Sequence, residues 1–352
     1  MKKQGIAVIG RVANGTELLD GQTVKTKTLV EELRRSFPDE DILCVDTYRY
    51  SRRFLKIFWD TLKAFRKSGH IFVLLSRNGR TFLFPVLTGL NKLFRRRLYH
   101  DVVGGALPKE AAQRPALVRQ LKRFHVNWVE FEGMKQELAD LGVHNVEVLP
   151  NFKRLSILPP EALTTGHQEP FLFTMFSRVC KDKGMTVAAE TIGSINAHYG
   201  RTVAKLHIYG PVEEPYRQEF EALLAAHPED VRYMGCIPQD RSVEALRGSF
   251  MLLFPSVYPG EGMPGTIIDA FSAGLPVIAT DWRFNTQLVR HGRTGYHYDW
   301  TKPELLRERI VYAIEHPQEV DDMRPACLEE AARYTPEAVM AQILEKMSDP
   351  ND

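Results

Sequence analysis

Residues 251–281 read MLLFPSVYPGEGMPGTIIDAFSAGLPVIATD, and this stretch decides the fold class. The apolar run at 251–254 is typical of a buried strand, and a loop rich in Pro and Gly follows it. A helix is predicted from about Thr266, and a second strand at 276–279. Strand, loop, helix and strand in this order indicate a parallel α/β sheet. In such a sheet, ligands bind in the crevice at the carboxyl ends of the strands.

Two carboxylates lie in that geometry. Glu261 is in the loop, and Asp269 is one turn into the helix, where side chains lean back toward the helix N-terminus. Two acids around one helix start can accept hydrogen bonds from two diols of one ligand. Ordinary structural roles are a solvated turn acid for Glu261 and an acid that complements the helix dipole for Asp269. The residues alone leave both alternatives open.

The spacing of these acids, Glu261 followed by seven residues and Asp269, resembles the E-x7-E motif of the family 4 glycosyltransferases. The flanking Pro255-Ser256 and the segment AGLPVIAT at 273–280 resemble the same family. The resemblance implies a GT-B fold, two doubly wound Rossmann-like domains facing a central cleft. It also implies that Glu261 binds hydroxyls of the donor sugar and that Asp269, a methylene shorter than the usual Glu, holds the ribose diol. The residues whose amides would face the sugar and diphosphate are Gly262, Met263, Pro264 and Gly265.

Two cations follow the predicted strand at 171–176. Arg178 and Lys183 lie at a strand-to-helix junction, where they can converge on one diphosphate. The alternative is a solvated basic loop. R-x4-K followed by Gly184 resembles the phosphate clamp of the same family, which favours the functional role. Gly210, at the next strand end, resembles the part of the family's fold that borders the nucleotide.

The first half of the chain resembles the family more loosely. Gly15 lies in a loop after the strand at 6–9, where it either contacts a ligand or simply allows the turn. His100 ends a later strand and resembles the histidine that many members place near the anomeric carbon. A structural histidine is the alternative. Asp101 would orient the imidazole or an acceptor hydroxyl, so Glu261, His100 and Asp101 are the predicted catalytic residues.

The two halves of the chain differ in net charge. Residues 1–160 hold 28 Lys and Arg against 16 Asp and Glu, while residues 161–352 hold 18 against 28. We expect an N-terminal acceptor domain at 1–160, a C-terminal nucleotide-sugar domain at 161–332, and a helix at 333–352 that crosses back to the first domain. The four cysteines show no metal-like spacing, and no apolar run of about 18 residues suggests a membrane span. We therefore expect a cytoplasmic protein.

The positive excess is concentrated in residues 49–97, which contain 13 basic residues and one acid, Asp60. On a helical wheel one face is basic, with Arg52, Arg53, Lys56, Lys63, Arg66 and Lys67. The opposite face is apolar, with Phe54, Leu55, Phe58, Leu62 and Phe65, and Trp59 lies near the border. We expect the apolar face to pack in the core and the charge to attract the inner face of an anionic membrane. No nucleic-acid motif accompanies the charge, so we expect no nucleic-acid partner.

Together these features predict a glycosyltransferase of the hexosyltransferase type, and the resemblance implies that the sugar is transferred with retention. The donor would be a UDP- or GDP-sugar and the acceptor a saccharide, particularly a lipid-linked one in surface polysaccharide synthesis. The resemblance implies no metal and no cofactor, with Arg178 and Lys183 at the leaving diphosphate. Two alternatives remain open: a GT-B sugar-nucleotide epimerase, which needs catalytic acids in the first domain, and a non-catalytic subunit that binds sugar nucleotides.

Overall fold

Two parallel sheets, each with helices on both sides, organise the chain. A computed structural model describes residues 5–13 and 21–348, and the side chains of residues 50–52 lie outside the described part. The predicted ligand residue Gly15 also lies outside the described residues. The chain divides into unit 1, formed by Met1–Lys153 and Pro336–Asp352, and unit 2, formed by Arg154–Thr335.

Unit 1 contains a six-stranded parallel sheet in the order β2-β1-β3-β4-β5-β6. Its strands are β1 (Gly5–Gly10), β2 (Leu43–Asp46), β3 (Ser68–Leu74), β4 (Arg97–Asp101), β5 (Val126–Val129) and β6 (Val146–Val148). Nearly continuous apolar runs form these strands because both faces of a parallel sheet are covered by helices. The strand order reverses between β1 and β3, which are hydrogen-bonded neighbours.

The helices of unit 1 follow the strands as crossover connections. They are α1 (Gly21–Ser36), α2 (Tyr50–Lys67), α3 (Arg77–Phe94), α4 (Leu107–Ala112), α5 (Pro115–Leu121) and α6 (Glu132–Asp140). The connections through α2 and α3 both run toward the β6 edge, whereas the connection through α1 runs the other way. Because such crossovers are right-handed, α2 and α3 lie on the face opposite α1.

The last helix of the chain, α14 (Pro336–Ser348), belongs to unit 1 by its packing. Val339 and Ile343 are fully buried in a cluster with Ile6 and Leu29. The Arg97 guanidinium donates a hydrogen bond to the Met347 carbonyl oxygen at 3.0 Å. The chain therefore returns to its first sheet after completing the second.

Unit 2 contains the second six-stranded parallel sheet, in the order β12-β11-β10-β7-β8-β9. Its strands are β7 (Phe171–Phe176), β8 (Ala204–Tyr209), β9 (Val231–Gly235), β10 (Met251–Phe254), β11 (Val277–Thr280) and β12 (Gly295–Tyr298). Its helices are α7 (Met185–Tyr199), α8 (Arg217–Ala226), α9 (Ser242–Leu246), α10 (Gly265–Ser272), α11 (Asn285–Leu288), α12 (Leu305–Glu315) and α13 (Pro317–Ala332). The strand order reverses between β7 and β10.

The two sheets confirm the predicted fold class of two doubly wound Rossmann-like domains. The predicted domain boundary at residue 160 falls seven residues after Lys153, inside unit 2. Among the described residues, no helix is both long enough and apolar enough to cross a bilayer.

Candidate functional site

The reversal between β7 and β10 places two of the predicted site residues side by side. Lys183 lies in the turn that follows β7, and Glu261 lies in the loop that follows β10. A crevice at the carboxyl ends of the strands is expected where the strand order reverses in a doubly wound sheet. Unit 2 therefore brings a cation and a carboxylate to the place where such a sheet binds its ligand.

Glu261 and Lys183 form a direct, buried ion pair. The Lys183 Nζ lies 2.5 Å from the Glu261 Oε2, and the two side chains are 8% and 9% exposed. The same carboxylate oxygen accepts a hydrogen bond from the Ser256 Oγ at 2.6 Å. Removing two charges from water is costly unless they are paired and hydrogen-bonded, and here both conditions are met. The pair fixes the position of Glu261 relative to the turn after β7.

The loop after β10 is held by hydrogen bonds to both neighbouring strand ends. These bonds are Thr280 Oγ1 to Ser256 O at 2.6 Å, Val257 N to Asp182 O at 2.8 Å, and Trp282 Nε1 to Tyr258 O at 2.9 Å. Gly184, at φ +77°, lets the turn after β7 approach this loop, because a Cβ there would lie 2.6 Å from the Pro255 carbonyl oxygen. The loop is thus pre-positioned by the fold.

An aromatic ring connects the two predicted cations. The Tyr258 ring centroid lies 5.3 Å from the Arg178 guanidinium carbon and 5.3 Å from the Lys183 Nζ. Cations are attracted to the faces of aromatic rings at such distances. Our sequence interpretation missed Tyr258, although its position three residues before Glu261 in the same loop was a usable signal.

Arg178 has a carboxylate partner that the sequence did not reveal. Its guanidinium forms an ion pair with Glu213, and the two side chains are 38% and 41% exposed. Burial alone lowers the pKa of Arg178, but Tyr258 and Glu213 together raise it above its ordinary value. Arg178 is therefore a fixed cation at the same Tyr258 ring as Lys183, and Glu213 competes with any anionic ligand for it.

The glycine-rich segment leads directly into α10. Pro264 has extended backbone angles and precedes the first helical residue, Gly265, one residue before the predicted start. Met263 is buried, whereas Gly262 and Gly265 are partly exposed. The Thr266 hydroxyl donates a hydrogen bond to the Phe176 carbonyl oxygen at the end of β7. These contacts place the start of α10 beside the strand reversal, and contact of the 262–265 amides with a donor stays a prediction.

Asp269 lies in α10 as predicted, but its side chain is almost fully buried. Its side chain is 1% exposed, and its Oδ1 accepts a hydrogen bond from the Ser242 Oγ at 2.8 Å. Ser242 is the first residue of α9, so the carboxylate is enclosed between α9 and α10. A carboxylate with so little exposed surface does not reach a ribose diol in this conformation. The structure therefore supports a packing role for Asp269.

His100 is also enclosed. It is fully buried, its Nδ1 lies 3.0 Å from the Asn127 Oδ1, and its ring packs against Phe84 and Phe124. Burial lowers the pKa of His100 to about 3, so the imidazole is neutral at physiological pH. The predicted catalytic position is corrected to the alternative, a structural histidine within the core of unit 1.

Asp101 does not orient the imidazole. Adjacent residues in a strand point to opposite faces, so His100 and Asp101 diverge. Asp101 instead forms a buried ion pair with the Lys25 Nζ at 2.7 Å, and Lys25 also contacts the Glu130 Oε1 at 3.4 Å and the Val102 carbonyl oxygen at 3.0 Å. Burial lowers the pKa of Lys25, but the two carboxylates reverse this and leave the pKa raised. The cluster ties α1 to the ends of β4 and β5.

Gly210 has a clear structural requirement. Its φ is +129°, and a Cβ at this position would lie 1.9 Å from the Ser177 carbonyl oxygen. Only glycine allows the ends of β7 and β8 to approach this closely without strain. The conformation explains the residue without a ligand, and contact with a donor stays a prediction.

Comparisons with known proteins match the part of the chain that holds these residues. Residues 170–316 match the family model described as Glycosyl transferases group 1, and the matched segment lies within unit 2. It contains Arg178, Lys183 and Glu261.

Curated relatives match parts of the chain. A sucrose synthase of Melioribacter roseus is 33% identical over 158 residues, which cover 40% of this chain and 19% of that protein. The amylovoran biosynthesis glycosyltransferase AmsK of Erwinia amylovora is 25% identical over 162 residues, which cover 44% of this chain and 38% of that protein. The matched parts are thus well under half of the relatives' lengths.

A solved structure matches nearly the whole chain. Alr3699/HepE of Anabaena in complex with UDP aligns with a TM-score of 0.78 at 13% identity and covers 98% of this chain and 100% of that one. The same protein has been solved with UDP-glucose. At this identity the likeness supports the fold alone, and it agrees with the GT-B class that the sequence predicted.

Proposed function

We propose that the chain is a glycosyltransferase that moves a sugar from a nucleotide diphosphate sugar to an acceptor hydroxyl. The observation that carries the proposal is the Lys183 Nζ lying 2.5 Å from the Glu261 Oε2 at the strand reversal of unit 2. Such a pair presents an ammonium and a carboxylate at one point. A sugar diphosphate has a phosphate that is complementary to the ammonium and hydroxyls that are complementary to the carboxylate. The family match over residues 170–316 supports the same assignment.

In this proposal Lys183 and Glu261 bind different parts of the donor. Lys183, together with Arg178 on the same Tyr258 ring, faces the diphosphate, whose negative charge grows as the glycosidic bond breaks. Glu261 accepts hydrogen bonds from hydroxyls of the sugar, and Ser256 holds its carboxylate in place. Fixed cations of this kind stabilise the leaving group without a metal ion.

The reaction exchanges one C–O bond for another. The bond from the anomeric carbon to the diphosphate oxygen breaks, and a bond from the same carbon to the acceptor oxygen forms. We propose retention of configuration, with the acceptor hydroxyl attacking on the face that the diphosphate leaves. The departing phosphate oxygen is then the nearest base on that face and takes the acceptor proton.

The acceptor is proposed to be a lipid-linked saccharide bound by unit 1, with the enzyme at the inner face of a membrane. A relative named for amylovoran biosynthesis supports a role in polysaccharide synthesis. The epimerase alternative gains no support in unit 1, because Asp101 is buried against Lys25 and His100 is neutral in the core. No observation specifically favours a non-catalytic subunit.

A panel of nucleotide sugars tests the proposal. UDP is the first probe, because a similar structure contains it. We expect UDP- or GDP-sugars to raise the melting temperature, and a membrane lipid extract to stimulate release of the nucleoside diphosphate. We expect EDTA to leave this release unchanged. Interconversion of sugars without release would indicate an epimerase, and binding without any reaction would indicate a non-catalytic subunit. Loss of activity with EDTA and recovery with Mg²⁺ would contradict metal independence.

A further inference from the structure

The outward surface of α2 and α3 is unusually apolar for a protein exterior. Large hydrophobic side chains are normally exposed singly. Among the described residues seven large hydrophobic side chains are exposed, and five of them lie on these two helices. Their exposed fractions are 48% for Phe54, 73% for Leu55, 62% for Trp59, 55% for Phe82 and 77% for Leu93.

This surface corrects the helical-wheel prediction. We expected the whole apolar face of α2 to pack in the core, but only Phe65 of that face is fully buried. The core side of α2 is formed instead by Ile57, Thr61, Ala64 and Phe65. Leu55 and Trp59 consequently point outward, on the same side as the basic residues.

The two helices lie next to each other. They occupy the same face of the first sheet, and the Phe65 and Phe94 ring centroids are 5.9 Å apart near their C-terminal ends. Phe54, Leu55 and Trp59 follow a kink at Arg53 near the start of α2, and Phe82 lies in the second turn of α3. The exposed apolar side chains Phe54, Leu55, Trp59 and Phe82 therefore lie in the N-terminal parts of two neighbouring helices.

Cations lie on the same two helices, toward their C-terminal ends. Lys63, Arg66 and Lys67 on α2, and Lys92 and Arg95 at the end of α3, are exposed. None of the five forms an ion pair within the part of the chain that the structure describes. The one acid between residues 49 and 97, Asp60, is paired with Lys56 at 2.7 Å. The predicted basic residue Arg52 lies among the side chains that are not described.

We propose that this α2–α3 surface docks on an anionic lipid bilayer, with Leu55, Trp59 and Phe82 inserted between the headgroups. A helix surface that carries both apolar side chains and lysine and arginine is complementary to an apolar layer under anionic phosphates. A second copy of the chain is a poorer occupant of the surface, because two such faces would bring like charges together. The inference deepens the proposed function by assigning a surface to the proposed membrane association.

The position of the surface fits a lipid-linked acceptor. The N-terminal parts of α2 and α3 follow the carboxyl ends of β2 and β3, the edge at which a doubly wound sheet binds ligands. Insertion of Leu55 and Trp59 would therefore hold that edge of unit 1 at the membrane. An acceptor sugar attached to a lipid headgroup would then be presented to unit 1 without leaving the bilayer.

Co-sedimentation tests the proposal with vesicles of phosphatidylcholine, alone and mixed with phosphatidylglycerol. Wild type should bind only the mixed vesicles, and less at high salt. Changing Lys63, Arg66 and Lys67 to Gln should weaken binding by about tenfold or more, since each cation near an anionic leaflet contributes up to about fivefold. The matched control changes three exposed basic residues of unit 2, Arg217, Arg241 and Lys302, to Gln and should bind like wild type.

Insertion of the apolar side chains into the bilayer is tested separately. The double variant Leu55→Gln, Trp59→Gln keeps every cation, yet it should also lose about tenfold in affinity, whereas Tyr312→Gln in unit 2 should not. Brominated lipid should quench wild-type fluorescence more strongly than that of Trp59→Phe. Binding by Leu55→Gln, Trp59→Gln that equals wild type would overturn insertion. If wild type forms dimers but does not bind vesicles, and this variant abolishes the dimers, the surface would instead be assigned to a second copy of the chain.

The thermal shift caused by UDP separates this inference from the proposed function. It should be the same in wild type and all these variants, which also verifies that they are folded. Vesicle binding that fails while UDP still stabilises the protein contradicts the membrane surface only. Vesicle binding that succeeds while no nucleotide sugar is turned over contradicts the proposed transferase only.

Discussion

Lys183 and Glu261 are 78 positions apart in the chain, yet the Lys183 Nζ lies 2.5 Å from the Glu261 Oε2. Each residue follows one of the two strands at which the order of the second sheet reverses. Because both side chains are buried, each charge depends on the other for its electrostatic partner. A change at either position is therefore expected to affect both the stability and the function of the protein, and the two effects are separable by experiment.

Lys183→Ala should weaken the binding of UDP by about tenfold to a hundredfold, because one charge-assisted contact to the diphosphate is lost. It should also lower the free energy of unfolding by about 3 kcal/mol, because it leaves the Glu261 carboxylate buried without its cation. Calorimetric titration and urea denaturation measure the two effects. The double variant Lys183→Ala, Glu261→Ala should regain part of the stability but none of the affinity. Full UDP affinity in Lys183→Ala would remove Lys183 from the diphosphate site.

Arg178→Ala should have a smaller effect on UDP affinity, about threefold to tenfold, because the side chain is partly exposed and screened by solvent. The partner variant Glu213→Gln should act in the opposite direction. It removes the carboxylate that competes for Arg178, so UDP should bind about twofold to threefold more tightly. Equal weakening by both variants would show that the ion pair itself, and not the free guanidinium, supports the site.

Because His100 is buried, we expect the free energy of unfolding to fall in acid. Burial lowers the pKa of His100 from 6.5 to about 3. Below pH 6.5 the histidine is therefore protonated in the unfolded chain but stays neutral in the folded chain. The stabilising effect is complete above pH 6.5 and is lost as the pH falls, by about 1.4 kcal/mol per pH unit. Urea denaturation between pH 7 and 5 should show a shallower loss in His100→Gln than in wild type.

Replacement of an exposed histidine provides the control for that experiment. His198→Gln removes a histidine from the exposed surface of α7 and controls for the loss of a histidine as such. His70 is also buried, with its pKa lowered to about 4, so some acid sensitivity should remain in His100→Gln. Parallel curves for wild type and His100→Gln would contradict a neutral, buried His100.

Much of the fold was predictable because buried parallel strands are continuous apolar runs. The strand predicted at residues 171–176 has the same bounds in the structure, and the helix predicted from Thr266 begins one residue earlier. The turns after these strands were also recognisable, which led to the prediction of Lys183 and Glu261 as site residues. Their mutual contact was not, since strand order in a sheet is not encoded by local periodicity.

Side-chain surroundings were less predictable. The position of Asp269 near a helix start is compatible with a ligand or with a neighbouring helix, and only the tertiary packing shows that Ser242 is its partner. For α2, a helical wheel separates polar from apolar residues but does not say which side faces the sheet. Small residues such as Ala64 and Thr61 occupy that side, which leaves Leu55 exposed.

The central claim is that Glu261 acts on the sugar of the donor while the cations hold its diphosphate. Measuring both nucleoside diphosphate release and UDP affinity in Glu261→Ala tests this claim most directly. The matched control is Glu229→Ala, which removes an exposed acid of unit 2. We predict that Glu261→Ala lowers the rate by about 10²–10³, equivalent to about 3–4 kcal/mol at the transition state, while UDP binds as well as in wild type or better. Near-normal turnover in Glu261→Ala, or a loss of UDP affinity that matches the loss of rate, would contradict the account.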